Sequence, residues 1–290
     1  MSDIRIDPRA CIGCGACVNL CTGSVFRMGV EGAEVVAAER CWGCGHCVAV
    51  CPADAIDHPL FPLEECPLLG DGVADVPARL LSVLRGRRSV RAFQSRSLDR
   101  DLLREILDVG RLAPSASNRQ PVDWVAFDDP ARIRELSRTA ATYLARWGER
   151  LRRPAVGRLL GLLLGGQGKQ AVANAGFLIR LGEAVSAGED PIFFRAPVVL
   201  VAHTPQGAAF ARDDAAYAAH NVMLYAAASG LGTCQIGLFQ LAMERMPSLR
   251  RSVGIPPGRT SQVILCLGYP RDPFRRSLPR RRPEVAWNPR

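Results

Sequence analysis

The sequence predicts two folding units: a small cysteine-rich module, then a larger helix-and-sheet sandwich of α/β or α+β class. Three observations carry that expectation. Eight of the 11 cysteines fall in one early stretch, as CIGCGACVNLC (Cys11–Cys21) and its echo CWGCGHCVAVCP (Cys41–Pro52). Pro52, Pro59, Pro62, Pro67 and Pro77, with several glycines, then interrupt regular structure. Beyond them, apolar runs of strand length alternate with longer amphipathic stretches, the pattern of helices packed on a sheet. The expected boundaries are 1–66 for the module, 67–79 for a linker and 80–290 for the larger domain.

Each half of the cysteine stretch has the spacing C-x2-C-x2-C-x3-C, and the second ends in Cys-Pro. With that spacing, three thiolates from one tight loop cap one side of an iron–sulfur cube and a distant cysteine closes it. The expected ligands are Cys11, Cys14, Cys17 and Cys51 for one [4Fe-4S] cluster, and Cys41, Cys44, Cys47 and Cys21 for the other. Gly13, Gly15, Gly43 and Gly45 let the loops bend tightly and bring N–H groups toward the sulfurs. Structural zinc takes paired C-x2-C knuckles well apart, without a third cysteine at the same interval. Disulfides go with export, and MSDIRIDPRA has no apolar run to act as a signal. Over about residues 1–60 the stretch resembles the bacterial two-cluster ferredoxins, with Thr22 where the second repeat has Pro52. Such a module moves single electrons and does no substrate chemistry itself. His46, inside a cluster loop, is a candidate for tuning the potential.

The next elements follow from local chemistry. A helix is expected over Pro77–Arg85. Asp99 can cap another, in which Leu102, Leu103, Ile106, Leu107 and Val109 form one apolar face before Pro114. Val122–Phe127 reads as a strand and Ala131–Arg152 as an arginine-rich amphipathic helix. Residues 154–188 are helical but interrupted by Gly165, Gly166 and Gly168; the insert at about 140–195 suits a mobile cover and a plain packing helix equally. Pro197–Ala202 is a short buried strand, Asp213–Ser229 an alanine-rich helix ended by Gly230, and Ser261–Leu267 the last clear strand. The lone cysteines Cys66, Cys234 and Cys266 and the lone histidines His58, His203 and His220 read as structural.

Charge is unevenly spread. Net charge is +9, yet residues 1–66 hold nine acids against four arginines, leaving −5 there and +14 on the remainder. An acidic electron carrier tethered to a basic domain is electrostatically coherent. The basic excess also suits a phosphate-bearing cofactor. No helix-turn-helix, zinc-finger or aromatic-stacking pattern points to nucleic acid. The longest strongly apolar run, Leu159–Leu164, is far too short to span a bilayer, so no membrane span is expected and the cytoplasm is the expected compartment.

Four polar segments mark the larger domain. Arg87-Arg88-Ser89-Val90-Arg91-Ala92-Phe93 concentrates guanidinium groups and a hydroxyl, a natural phosphate site. Ala113–Pro121 is a loop rich in hydroxyl and amide donors. Gly230–Gly237, GLGTCQIG, would let backbone N–H groups approach a flat ring edge, but it lacks the third glycine of a dinucleotide fingerprint. Leu267-Gly268-Tyr269-Pro270 precedes a basic tail with Arg280, Arg281 and Arg282.

In this order and spacing the four segments resemble the nitroreductase-like FMN-binding family over about residues 80–290. The resemblance implies an α+β fold with a mixed central sheet flanked by helices, and a homodimer with FMN at the subunit interface. It implies that Arg87, Arg88 and Ser89 hold the FMN phosphate and ribityl chain. Arg91 matches the basic residue near the flavin N1/O2 edge, where a cation stabilises the reduced ring. Pro114, Ser115 and Ala116 match the loop that reaches the partner subunit's flavin, shaped by Asn118 and Gln120. Gln235, Ile236 and Gly237 match the segment along the ring, where a backbone N–H meets N5. Arg281, with Arg280, matches the late phosphate-binding arginine. The common Gln-Pro-Trp is here Gln120-Pro121-Val122, with Trp124 two residues later.

The whole chain resembles ferredoxin–nitroreductase fusions. That implies an FMN-dependent oxidoreductase in which electrons pass through two [4Fe-4S] clusters to FMN. A ferredoxin-type or NAD(P)H donor would supply them, and a flat electron-poor acceptor of nitroaromatic, quinone or enone type would receive them. The chemistry is at flavin N5, so no side-chain nucleophile is needed. A reading of another class is a non-catalytic redox sensor or electron-transfer subunit serving a protein partner. A third keeps the fold but reverses the flow or consumes the flavin.

Overall fold

The structure, a computed structural model, describes residues 3–68, 75–272 and 274–288. They group into two units: Met1–Val76 with Ser115–Gln120, and Pro77–Pro114 with Pro121–Arg290. Of the expected linker, residues 69–74 lie outside the described residues. Among the described residues no helix is long and apolar enough to cross a membrane.

In the smaller unit the order is β1 (Arg5–Ile6), α1 (Ala16–Leu20), β2 (Phe26–Met28), β3 (Ala33–Val35), α2 (His46–Val50) and β4 (Ile56–Asp57). β1 pairs antiparallel with β4, and β2 with β3. The cysteine duplication is repeated in the backbone. Gly15 before α1 and Gly45 before α2 both sit at φ 73°, and Gly13 and Gly43 at 66° and 67°. L-residues with a Cβ are strained there, so the loop turns require glycine. Ile4, Val25, Phe26, Val48 and Ile56 form a small core with Cys17 and Cys47.

The larger unit is built from α3 (Val76–Gly86), α4 (Arg100–Gly110), β5 (Asp123–Phe127), α5 (Pro130–Leu151), α6 (Pro154–Ala173), α7 (Ala175–Ser186), β6 (Val198–Pro205), α8 (Ala211–Ala228), β7 (Gly232–Gln235), α9 (Gly237–Arg245), α10 (Pro247–Ser252) and β8 (Arg259–Gly268). As expected, Asp99 caps α4, accepting from the N–H groups of Asp101 and Leu102 at 2.7 and 3.3 Å. The sheet order is β5-β6-β8-β7, with every neighbouring pair antiparallel. The parallel element is a single bridge between Ser89 and Thr233, at β7.

The sheet is buried on both faces, which is why β6 reads as a continuous apolar run. Val199 and Val201 of β6, with Ile264 and Cys266 of β8, face a core built from α5, α7 and α9. Val198, Leu200 and Ala202, with Val263, Leu265 and Leu267, face α4 and α8. The alternation is the period-two geometry of a strand, so helices cover the sheet above and below.

Within the insert, α5 and α7 pack on one another. A Cβ on Gly182 would lie 2.8 Å from the Ala145 Cβ, so the two helices touch at small residues. Leu144 and Leu151 of α5 and Leu178 and Leu181 of α7 are buried in that contact. α6 between them is kinked at Gly165 and keeps Leu159, Leu162 and Leu163 exposed.

At the far end of β6, a bulge at Ala202/His203 turns His203 into the interior, where it is 4% exposed. Its Nδ1 accepts from Arg259 Nε at 2.6 Å. Arg259 Nη2 also donates to the Pro121 carbonyl at 2.8 Å and pairs with Asp123. Burial, and then the Arg259 charge, hold the His203 imidazole below its ordinary 6.5, against the opposing pull of Asp123. The unfolded chain therefore binds this proton at higher pH than the folded one, so stability rises with pH across that window. The contribution is expected to be complete above 6.5 and to be lost as pH falls from 6.5 toward the folded-state value. Urea unfolding at about pH 7.5 and about pH 5.5 compares stability on either side of the ordinary imidazole value. The midpoint of the larger unit should drop at the lower pH, and His203→Gln should reduce the drop.

Candidate functional site

In the smaller unit, Cys21 lines one cavity with Cys41, Cys44, Cys47 and His58. This is the crossed grouping expected for one cluster, in which the fourth thiol comes from the other half. In the first loop, Cys11 and Cys14 are close enough to Cys17 to act on its charge. None of the eight thiols is in a disulfide. Backbone N–H groups reach three sulfurs: Val25 to Cys21 Sγ at 3.4 Å, Ala55 to Cys51 Sγ at 3.3 Å and Gly43 to Cys41 Sγ at 3.3 Å. The first two repeat the sequence duplication residue for residue. Such donors are what cluster-bound thiolates need.

Burial pushes the Cys47 thiol up to about 11 and also raises Cys17. A bare thiolate is disfavoured in that setting, and coordination to iron is what would offset the cost. Among the described residues no three His, Cys, Asp or Glu side chains stand close enough to hold a single metal ion. A cube binds each thiolate to a different iron, so its ligands stand further apart than those of one ion. A set of thiols with backbone N–H groups aimed at three of them is the kind of donor set a cluster takes.

His46, the expected tuning residue, lines the same cavity as these cysteines and is exposed at the start of α2. The histidine that meets a cysteine is His58, whose Nε2 lies 3.5 Å from Cys41 Sγ. Nothing in the residue spacing distinguishes His58, because its approach depends on how β4 folds back.

In the larger unit the fold brings the first and third polar segments together. Val90 N–H donates to the Thr233 carbonyl at 2.9 Å, alongside the Ser89–Thr233 bridge. A Cβ on Gly232 would lie 2.4 Å from Val90 Cγ2. Gly232 is thus glycine because another segment crosses it, a different reason from the one expected. Burial raises the Cys234 thiol, while Arg91 and the side chains of Ser89 and Arg91 bonded to it pull it down, with Arg87 nearby. Arg87, Ser89, Arg91 and the β7 residues therefore share one corner.

Arg88 is the chemically telling member. Its Nη1 donates to the Arg85 and Arg87 carbonyls at 2.9 and 2.8 Å. Among the described residues its Nε and Nη2, buried, meet no hydrogen-bond partner, and neither does Thr233 Oγ1. Unpaired guanidinium nitrogens are costly, and an oxygen-rich anion would satisfy them. The residues present thus fit the phosphate of a bound nucleotide-like group. Ile236 is buried in the core and its N–H is taken by the Ile264 carbonyl at 2.9 Å. Gly237 opens α9, so its N–H has no intrahelical acceptor.

The second segment is divided. Pro114 belongs to the larger unit, whereas Ser115, Ala116, Asn118 and Gln120 group with the smaller one. Ser117, Asn118 and Gln120 all have positive φ, at 52°, 51° and 46°. Asn118 Nδ2 donates to the Gly43 carbonyl at 2.9 Å, and Gln120 N–H to Ser115 Oγ at 2.9 Å. Arg280 and Arg281 lie on an exposed tail, where Arg281 faces Glu284 at 3.7 Å. The tail residues that share a surface cavity with Arg85 and Gly86 are Arg275 and Arg276, which the sequence reading did not single out.

Comparison with known proteins matches these two regions separately. The nitroreductase family model covers residues 84–269, and a 4Fe-4S dicluster domain model covers residues 3–52. A 4-nitrobenzoate reductase from Nocardioides sp. (strain LMS-CY) is 29% identical over 65% of this chain and 79% of its own length. A nitroreductase with bound FMN from Desulfitobacterium hafniense DCB-2 shares the fold, at TM-score 0.53 and 19% identity over 72% of this chain and 98% of its own. Oxidised iodotyrosine deiodinase bound to FMN and 3-iodo-L-tyrosine does so at TM-score 0.51 and 22% identity, over 72% and 98%.

The Val90–Gly232 crossing has a direct test. Gly232→Ala should destabilise the larger unit by about 1–3 kcal/mol, the usual cost of overpacking. Thermal unfolding reads it, and adding Val90→Ala to the same chain should recover most of the loss.

Proposed function

The chain belongs to the nitroreductase family of oxidoreductases and carries a 4Fe-4S dicluster domain, and from that premise we propose an FMN-dependent enzyme fed by two clusters. Electrons from a ferredoxin-type or NAD(P)H donor would pass through the clusters to FMN, then to a flat electron-poor acceptor of nitroaromatic, quinone or enone type. When bound, FMN supplies two-electron chemistry at N5 and each cluster supplies one-electron transfer. The Nocardioides relative, named for 4-nitrobenzoate, supports the nitroaromatic member of that acceptor class.

The single observation that carries the flavin half is the pair of buried, unpartnered nitrogens on Arg88. Arg87, Arg88 and Ser89 would hold the phosphate end, Arg88 through those two nitrogens. Arg91, which reaches Cys234 beside Ser89, would place positive charge along β7. The Gly237 N–H at the start of α9, between Gln235 and Ile236 on one side and the helix on the other, would point a donor at the ring edge. Cys11, Cys14, Cys17 and Cys51 would hold one cluster, and Cys41, Cys44, Cys47 and Cys21 the other. Pro114, Ser115, Ala116, Asn118 and Gln120, together with Arg280 and Arg281, keep their FMN roles on the family resemblance, as do the homodimer and the cytoplasmic setting.

The test is anaerobic. Purified protein is mixed in turn with NADH, NADPH and a reduced ferredoxin, and flavin absorbance is followed. At least one donor should bleach the flavin within minutes, and 4-nitrobenzoate should restore it. Bleaching by dithionite but by none of the three donors would count against the reductase reading. Arg88→Ala should weaken FMN retention at least tenfold, since a hydrogen bond to a charged group contributes about 1.5–3 kcal/mol, and should leave iron content unchanged.

A further inference from the structure

We propose that His58 sets the cluster held by Cys41, Cys44, Cys47 and Cys21 at the higher of two potentials, so that the two clusters of the module are unequal. The inference rests on the ligand sets proposed above. Its evidence is the environment of one side chain.

His58 is 1% exposed. The Leu60 N–H donates to its Nδ1 at 3.2 Å. A neutral imidazole that accepts at Nδ1 carries its proton on Nε2. That nitrogen lies 3.5 Å from Cys41 Sγ, so the contact is an N–H···S hydrogen bond to an expected ligand. The Phe61 ring, with its centroid 5.1 Å away and tilted by 54°, packs against the imidazole and holds its orientation. Among the described residues, the other hydrogen bonds to expected ligand sulfurs come from backbone N–H groups, of Val25, Gly43 and Ala55.

The duplication supplies an internal control. Shifting the first half by 30 residues superimposes Cys11 on Cys41, Cys14 on Cys44, Cys17 on Cys47 and Cys21 on Cys51. The same shift superimposes the donors Val25 and Ala55. It also places Met28 on His58. Met28 Sδ comes within 3.7 Å of where a Cβ on Gly15 would stand, so this side chain too lies against its own cysteine loop. A thioether has no proton to donate. The two halves therefore differ at this matched place by a side-chain hydrogen-bond donor, beside the backbone donor that Gly43 adds at Cys41.

Reduction adds one electron to a cluster, and its charge spreads onto the thiolates. A fixed N–H donor stabilises the more negative state more than the oxidised one and raises the potential. No proton moves and no bond breaks. The electron comes from the donor already named, and it settles first on the cluster with the donor.

Redox titration of the full-length protein, followed by the paramagnetic signals of the reduced clusters, tests this. Wild type should show two one-electron steps at separate midpoints. His58→Met should move the upper step down, changing the reduced-to-oxidised ratio about tenfold at fixed potential, equivalent to about 59 mV for one electron. The lower step should stay in place. His58→Gln, which keeps a side-chain N–H, should retain part of the separation, and His58→Phe, which keeps the packing on Phe61 without a donor, should behave as His58→Met does. Coincident midpoints in wild type overturn the inference. So do unmoved midpoints in His58→Met and His58→Phe at full iron and sulfide content. Iron and sulfide for fewer than two clusters in wild type would instead sink the ligand sets, and the inference with them.

Discussion

Buried thiols dominate the smaller unit. Its apolar core is a handful of side chains, and at this size a hydrophobic core rarely supplies more than about 3–5 kcal/mol. Two of its members, the buried thiols of Cys17 and Cys47, resist ionisation where they stand. Metal coordination would turn that liability into a staple, because each thiolate would then meet positive charge. The positive-φ glycines and the N–H groups aimed at Cys21, Cys41 and Cys51 are arranged around that need. In such a module, folding and electron transfer would depend on the same bonds.

The larger unit rests on a different constraint, a sheet covered on both faces. Because β6 and β8 bury alternate residues against two separate helical layers, little of the strand surface remains for a ligand. Chemistry is left to the edge, at β7, where Gly232 lets Val90 cross and carries the arginine segment to Thr233 and Cys234. Arg88 is held there by its own neighbouring carbonyls with two nitrogens unpaired. The site is thus a consequence of the packing of one small residue.

How much of this was legible in the sequence varies by element. The helices α4 and α5 were visible from their apolar faces, with an aspartate to cap each, α8 from its run of alanines, and the strands β5, β6 and β8 from short apolar runs. β7 was read only as part of a glycine-bearing segment, since GTCQ is short and its strand character comes from pairing with β8. α9 and α10 were missed, as both are brief and α10 carries two arginines. The cysteine sets could be written from spacing alone, because a cube imposes that spacing. His58 could not, since a contact 17 residues from Cys41 is made by the fold and not by local order. Arg88 was listed with its neighbours, but only burial shows that it, and not Arg87, carries orphaned nitrogens. Arg280 and Arg281 were read from the order of motifs; Arg275 and Arg276, which line a surface cavity with Arg85, carry no motif to mark them.

In the proposed function electrons would reach the clusters first and the flavin second. Rapid anaerobic mixing with a one-electron donor, with the cluster signals and flavin absorbance followed in the same reaction, tests that order directly. The account expects the cluster signals to rise before the flavin bleaches, and bleaching to slow sharply in Cys51→Ser. Flavin that bleaches ahead of the clusters, at a rate unchanged by Cys51→Ser, would contradict it.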